Sequence, residues 1–442
     1  MKTTGKKDRN AAKLGEYGEF RKAKVNASIE SSTSYDLEIL CSKTDLMEDF
    51  LERGNMMAAL KKVRQNKGCP GIDGMSVREL NPYLKQEWPK IKADLLQGRY
   101  KPMPVKKVEI PKQSGGVRTL GIPTTLDRLI QQALLQILQR YIDKSFNANS
   151  FGFRPKKSAH QAIEKARRII AEGKEVMIDL DIEKFFDRVN HDRLMSKLRS
   201  MIKDQRVLDL IRKYLNSGLT DQGVPQGGPL SPLLANIYLD ELDKELTKRK
   251  LSFVRYADDL MVFVKTNRAA NRVASRIKEY LNKKLKLQIN EAKSGIGESA
   301  KFLGFMITKK YLKVDRASIN AFKDKIRECT KIRGGKSMCQ ILKELKPIIR
   351  GWGNYFAPQT VKKTFGKLDG WTRRRVRACY YAQLKNGKTR LNTILQYGIR
   401  YDRAYKCGYS SRGVWRTSRG DVMHEVLNNK RLRGMGLVSL EC

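Results

Sequence analysis

Asp258 and Asp259 stand side by side in FVRYADDLMVF, an apolar, strand-like run at 253–263. Adjacent carboxylates repel each other and lose solvation when buried without a partner, so the pair calls for positive charge supplied from elsewhere. A third acid, Asp181, ends another apolar run, VMIDLD. If the two runs are neighbouring strands, three carboxylates meet at one end of a sheet. Such a set is stable only with cations, and hard oxygen donors select magnesium. Two Mg2+ ions about 3.5–4 Å apart activate a sugar hydroxyl and steady the leaving phosphate of an in-line displacement. An isolated acidic pair in a turn is ordinarily a surface feature; the apolar flanks on both sides set this one apart.

The elements that must hold these acids follow from the apolar spacing. FVRYADDLMVFV reads as a hairpin with the acids at its tip, and 176–186 as a strand running into a helix. Helices are expected at 45–65, 127–142, 206–215, 231–246 and 270–286. Two strands flank a Ser114-Gly115-Gly116 turn within 100–123, and a short strand pair lies at 302–314. The glycines and proline of NKGCPGIDG, 66–74, end the first helix. After about 316 the chain reads as helical and basic, with a glycine-rich break at 408–420.

The 442 residues carry a formal net charge of +44. Residues 301–442 hold 33 Lys and Arg against 9 Asp and Glu, a net of +24, so over half the excess lies in the last third. That gradient argues for a nucleic-acid surface with salt-dependent phosphate contacts. The seven cysteines form no CxxC pair, which excludes a disulfide framework or zinc ribbon and fits a reducing compartment. No apolar run is long enough to span a membrane, and the N-terminus lacks the apolar stretch of a secretory signal.

At this point several motifs stand in order: NKGCPGIDG, IPKQSGGVRTLGIPTTLDRLIQQAL, SFGFRPKKSAHQAI, IDLDIEKFFDRVNH, GVPQGGPLSPLLANIYL, YADD, LQINEAKSGI, KFLGF and LKPIIRGWGNYF. Together they resemble a group II intron-encoded reverse transcriptase, a maturase–reverse transcriptase, from about residue 46 to the C-terminus. VPQGGPLSP with RYADD about thirty residues on carries the most weight. The resemblance implies an α+β right-hand polymerase, with antiparallel sheet in fingers and palm, a helical thumb and a small basic C-terminal segment. The expected divisions are a basic arm at 1–44, an N-terminal extension of the fingers at 45–98, and fingers and palm at 99–315. The thumb, domain X, would span 316–400, and a DNA-binding segment 401–442.

The same resemblance implies that Asp181, Asp258 and Asp259 form the metal triad, with the Ile182 carbonyl as a further ligand. Asp179 and Asp187 are expected to be structural. Phe186, five residues after Asp181, would lie under the incoming sugar and clash with a 2′-hydroxyl, while Phe185 serves the core. Lys112 and Arg118 would close on the triphosphate. Gln226, in a loop opened by Gly227 and Gly228, would pack on the nucleotide. Lys293 either protonates the leaving pyrophosphate or is a passive cation. Arg154 would support fingers or template, and Arg373, Arg374, Arg375 and Arg377 would grip intron RNA and the template–primer duplex. Trp352, Tyr355 and Phe356 are expected in the thumb core. His160 and His191 read as capping or packing residues, with Asn190 or Asp192 as a helix cap. GGKS at 334–337 lacks the first glycine and the preceding strand of a phosphate loop.

Implied partners are group II intron RNA, an RNA template with a DNA primer, target DNA and deoxynucleoside triphosphates, with no membrane. The implied setting is bacterial, cytoplasmic and nucleoid-associated. Family members often add a nuclease with Cys and His metal pairs. Only Cys407, His424 and Cys442 stand in this segment, so priming from a pre-existing 3′ end is expected. Two other readings remain at this stage: an RNA-binding splicing chaperone with a vestigial polymerase, and a reverse transcriptase domesticated for defence.

Overall fold

The computed structural model describes residues 38–111, 116–218, 222–332, 334–359 and 362–440. Two compact units divide between Glu298 and Ser299.

In the first unit, β1 (Lys106–Pro111) and β2 (Val117–Ile122) form an antiparallel ribbon. Lys112 and the residues 113–115 of the expected turn lie outside the described residues. β3 (Val176–Leu180), β4 (Ser252–Tyr256), β5 (Asp259–Val264) and β6 (Gly295–Gly297) build an antiparallel sheet in the order β4-β5-β3-β6. Leu260 through Val264 are all buried, which an alternating one-sided strand would not show; both faces of the sheet centre are covered. The helices Ala159–Ala171, Ser231–Lys248 and Asn267–Leu285 pack on its strands.

The expected 45–65 helix is two helices, Leu46–Phe50 and Arg53–Asn66. The break comes from Glu52, whose carboxylate caps the second helix by accepting from the Gly54 and Asn55 amides. Asn190, rather than Asp192, caps the helix His191–Arg199. His191 is buried, with Nε2 at 2.6 Å from the Gly223 carbonyl, a packing role.

In the second unit the expected strand pair is a three-stranded sheet: β7 (Ser299–Phe302), β8 (Phe305–Thr308) and β9 (Leu312–Val314). These strands pair among themselves and Phe305 packs on Tyr355 and Phe356, so the division into compact units falls at 298/299, ahead of the expected 315. The helices Arg316–Cys329, Met338–Phe356 and Lys362–Gln383 follow. Ser337 of GGKS caps the middle one in a reciprocal capping box with Gln340, a local structural duty. Trp352 packs between Phe322 and Phe356, with ring centroids at 4.7 and 4.6 Å, as the aromatic content of GWGNYF suggests.

Residues 401–440, expected as a separate segment, fold back onto the helix Lys362–Gln383. Tyr381 donates to the Cys407 carbonyl at 2.7 Å, and the Leu440 amide donates to Asp369 at 3.0 Å. The glycine-rich break holds its own short helix, Val414–Thr417. Among the described residues no helix is long and apolar enough to cross a membrane.

Candidate active site

The sheet brings the separated acids together. β3 and β5 run antiparallel with Leu180 opposite Leu260, so one step further Asp181 faces Asp259. In the hairpin Tyr256 pairs with Asp259, leaving Ala257 and Asp258 as a two-residue turn. Ala257 adopts a φ of +57°, a conformation that costs an alanine about 1–2 kcal/mol.

That turn is held from behind. Arg255, fully buried, places a bidentate guanidinium on Asp243 at 2.8 and 2.5 Å, bonds Asn236 at 3.0 Å, and donates to the Ala257 carbonyl at 2.8 Å. The Asn236 amide in turn donates to the Gly152 carbonyl at 2.9 Å. Gly152 lies so close to the turn that a β-carbon there would stand 2.2 Å from the Ala257 nitrogen. Neither Arg255 nor Asp243 was assigned a role from sequence. The available signal was a cation inside the apolar strand SFVRY, which must find a partner if buried.

A cavity of about 940 Å³ opens in front of Asp181 and Asp258, with Asp259 outside its lining. Its lining includes Arg118, Asp181, Ile182, Phe186, Gln226, Asp258 and Lys293, so seven of the expected residues share one cleft. Lys293 stands 3.8 Å from Asp181. Arg118 donates through Nε to Gln226 at 2.6 Å, and Gln226 donates to Asp187 at 3.3 Å, which links the β1–β2 ribbon to the sheet side of the cleft. Gly227 has a φ of +137°, and a β-carbon there would meet the Gly121 carbonyl at 2.8 Å, so this loop position requires glycine. Phe185 is buried, while Phe186 is half-buried and set edge-on to it at 5.3 Å. Phe186, Arg118 and Gln226 also line a second cavity of about 420 Å³ with Arg128, Gln132 and Phe153, and so form the partition between the two. Lys107, Lys184 and Arg188 add cations to the main cleft that the sequence reading did not single out.

The acids destabilise one another's charge. Burial and then Asp181 raise Asp179 to about 6. Burial also raises Asp258, with Asp181 adding to it and Arg118 and Arg255 opposing. Desolvation by the surrounding protein, then Asp258, Asp179 and Asp181, raise Asp259 to about 7. Asp259 keeps an exposed surface, which makes the repulsion among four carboxylates the firmer part of its shift. Asp179, expected to be structural, thus belongs to the same electrostatic cluster.

Among the described residues no three His, Cys, Asp or Glu side chains are grouped tightly enough to hold a metal ion as they stand. The fit to a divalent cation is instead one of donor chemistry and charge. The carboxylates are hard oxygen donors whose repulsion a cation would relieve. The Ile182 carbonyl takes no part in the two bonds that join this stretch to 288–290, made by the Glu183 and Asn290 amides.

Residues 110–307 match the family described as reverse transcriptase (RNA-dependent DNA polymerase), and residues 319–398 match the group II intron maturase-specific domain. Protein YkfC of Escherichia coli K12 is 32% identical over 290 residues, which cover 54% of this chain and 76% of that protein. The chain belongs to the group II intron reverse transcriptase–maturase family. A further relative of this reverse transcriptase is the group II intron-encoded protein LtrA of Lactococcus lactis subsp. cremoris, 34% identical over 232 residues. That match covers 50% of this chain and 38% of LtrA. Among solved structures, apo telomerase from Candida tropicalis aligns at a TM-score of 0.43 and 14% identity, over 75% of this chain and 68% of that one. Membership carries an RNA-directed DNA polymerase activity and nucleic-acid substrates, in a family that generally uses divalent metal ions.

Two of the expected arginines are enclosed by the packing. Arg154 is enclosed: it pairs with Asp143 at 2.9 Å and donates to the carbonyls of Asn147, Ser150 and Asp143, so it braces the 143–150 loop beside the hairpin. Arg377 is buried and donates to the Leu427 carbonyl at 2.9 Å. Arg375 bonds Thr330 at 2.6 Å and lies over Trp415, with Arg374 reaching the Trp415 carbonyl at 3.5 Å. The four arginines of this reverse transcriptase therefore do not present one open face, because chain packs on several sides of their helix. Arg373 and Arg374 remain half-buried.

Proposed function

We propose that the chain extends a DNA primer on an RNA template using two Mg2+ ions, and that it binds group II intron RNA as a maturase in splicing and target-primed retrohoming. The convergence of Asp181, Asp258, Phe186, Arg118, Gln226 and Lys293 on one cleft carries the reading. Asp181, Asp258, Asp259 and the Ile182 carbonyl would hold the ions, which supply charge neutralisation for the attacking hydroxyl and the leaving phosphate when bound. Arg118 would bind the triphosphate, and Gln226, bonded to both Arg118 and Asp187, would orient the nucleotide. Lys293, beside Asp181, would meet the pyrophosphate, either handing it a proton or acting as a passive cation.

The 401–440 end, rich in Arg and Lys, would contact DNA, and Arg373 and Arg374 would add phosphate contacts.

Phe186 should set sugar choice. Phe186→Val is expected to leave deoxynucleotide incorporation within a few-fold and to raise ribonucleotide incorporation by at least tenfold, about 1.4 kcal/mol of discrimination. Single-nucleotide extension with dCTP and CTP measures the ratio. An unchanged ratio in a folded variant would remove Phe186 from the sugar site.

A further inference from the structure

Away from the cleft, one helix displays a row of tyrosines that the fold does not bury. Tyr401, Tyr405 and Tyr409 are 63%, 48% and 51% exposed. They lie four residues apart along the helix Tyr401–Gly408 and its C-cap, so they share a face. Their rings form a ladder: Tyr401 to Tyr405 at 6.1 Å and 27° between planes, Tyr405 to Tyr409 at 4.7 Å and 34°. The ladder is seated at one end. A β-carbon on Gly387 would stand 2.6 Å from the Tyr409 ring, so only glycine lets that ring lie against the start of the helix Gly387–Leu395.

The surroundings are cationic. Residues 385–419 contain nine Lys and Arg and a single acid, Asp402, and of these cations Arg403, on the helix that carries the row, is paired with Glu425. Exposed aromatic faces within a basic field are the two components of a single-strand binding surface: cations follow the phosphates and rings take the bases. Duplex DNA offers only base edges in its grooves, whereas unpaired bases present the flat faces a tyrosine ladder can cover. The match to the maturase-specific domain ends at residue 398, just before the first tyrosine.

We propose that Tyr401, Tyr405 and Tyr409 form a stacking platform for the unpaired bases of single-stranded DNA. The choice of DNA rests on the reading that the 401–440 end meets DNA. Tyr401 and Tyr405 supply exposed ring surface, and Tyr409 on Gly387 fixes the register of the row.

The test is equilibrium binding of the full chain by fluorescence anisotropy. The probes are a labelled single-stranded DNA, the matching RNA, the DNA duplex, and the same DNA strand with an abasic tract. Tyr401→Ala/Tyr405→Ala should weaken single-stranded DNA binding about a hundredfold, near tenfold per lost stack, with an unchanged melting temperature and little change on duplex. Tyr401→Phe/Tyr405→Phe should bind within a few-fold of wild type. The abasic strand should bind wild type as weakly as it binds the alanine variant. Alanine substitution without effect on single-stranded DNA, or with an effect confined to RNA, would overturn the proposal. A wild type that binds no DNA at all would overturn the DNA reading of this end and the platform with it.

Discussion

Arg255→Met is expected to destabilise the first unit by about 3–5 kcal/mol, because it leaves Asp243 alone in a fully buried site. Burial already pushes the Asp243 carboxyl up, and Arg255 is the main cation that opposes the shift. Stability alone would not distinguish a structural ion pair from a device that positions the catalytic turn. The double variant Arg255→Met/Asp243→Leu does, since replacing a buried pair with apolar side chains of similar volume is often neutral. It should melt near the wild-type temperature and yet extend primers roughly a hundredfold more slowly, the scale of a misplacement of about 1 Å. The reason is the lost bond to the Ala257 carbonyl, which holds a strained residue directly before Asp258. Recovery of both stability and extension would reduce Arg255 to core filling.

The carboxylate cluster gives metal-free protein an inverted pH response. Asp179 and Asp259, raised to about 6 and about 7, sit above the ordinary aspartate value of 3.8, and Asp258 is raised as well. Between about pH 4 and 7 the folded state then holds more protons from these groups than the unfolded chain does, so their contribution to stability falls as pH rises. Differential scanning fluorimetry without metal should show Asp259→Asn gaining melting temperature over wild type at pH 7.5 and losing that advantage by pH 5. Added Mg2+ at pH 7.5 should raise the wild type and raise Asp259→Asn less. Equal Mg2+ responses in the two proteins would separate Asp259 from the metal site.

Much of this site is legible in the chain because it rests on local rules. Apolar runs that end in acids become strands whose tips carry them, and YADD supplies its own two-residue turn. Phe186 and Lys293 reach the same cleft as the acids because their motifs lie next to the ends of β3 and β6, whereas Gln226 arrives on a loop between two helices. What the sequence conceals is pairing at long range. Arg255 and Asp243 are twelve residues apart, and nothing local marks them as partners. The arginines 373–377 look like one basic face until chain from 401–440 and Thr330 close over parts of it. Arg154 likewise carries no local sign of its partners, the carbonyls of the 143–150 loop. The 299–314 strands follow the other palm motifs in sequence, and nothing local shows that they pair with one another in a sheet of their own.

Primer extension on an RNA template with Mg2+ and deoxynucleotides, wild type beside Asp258→Asn, tests the central claim most directly. The wild type should extend the primer, and the variant should lose on the order of a thousandfold or more, matching several kcal/mol of transition-state charge stabilisation. A folded, RNA-binding wild type that fails to extend, or an Asp258→Asn protein that extends at the wild-type rate, would contradict it.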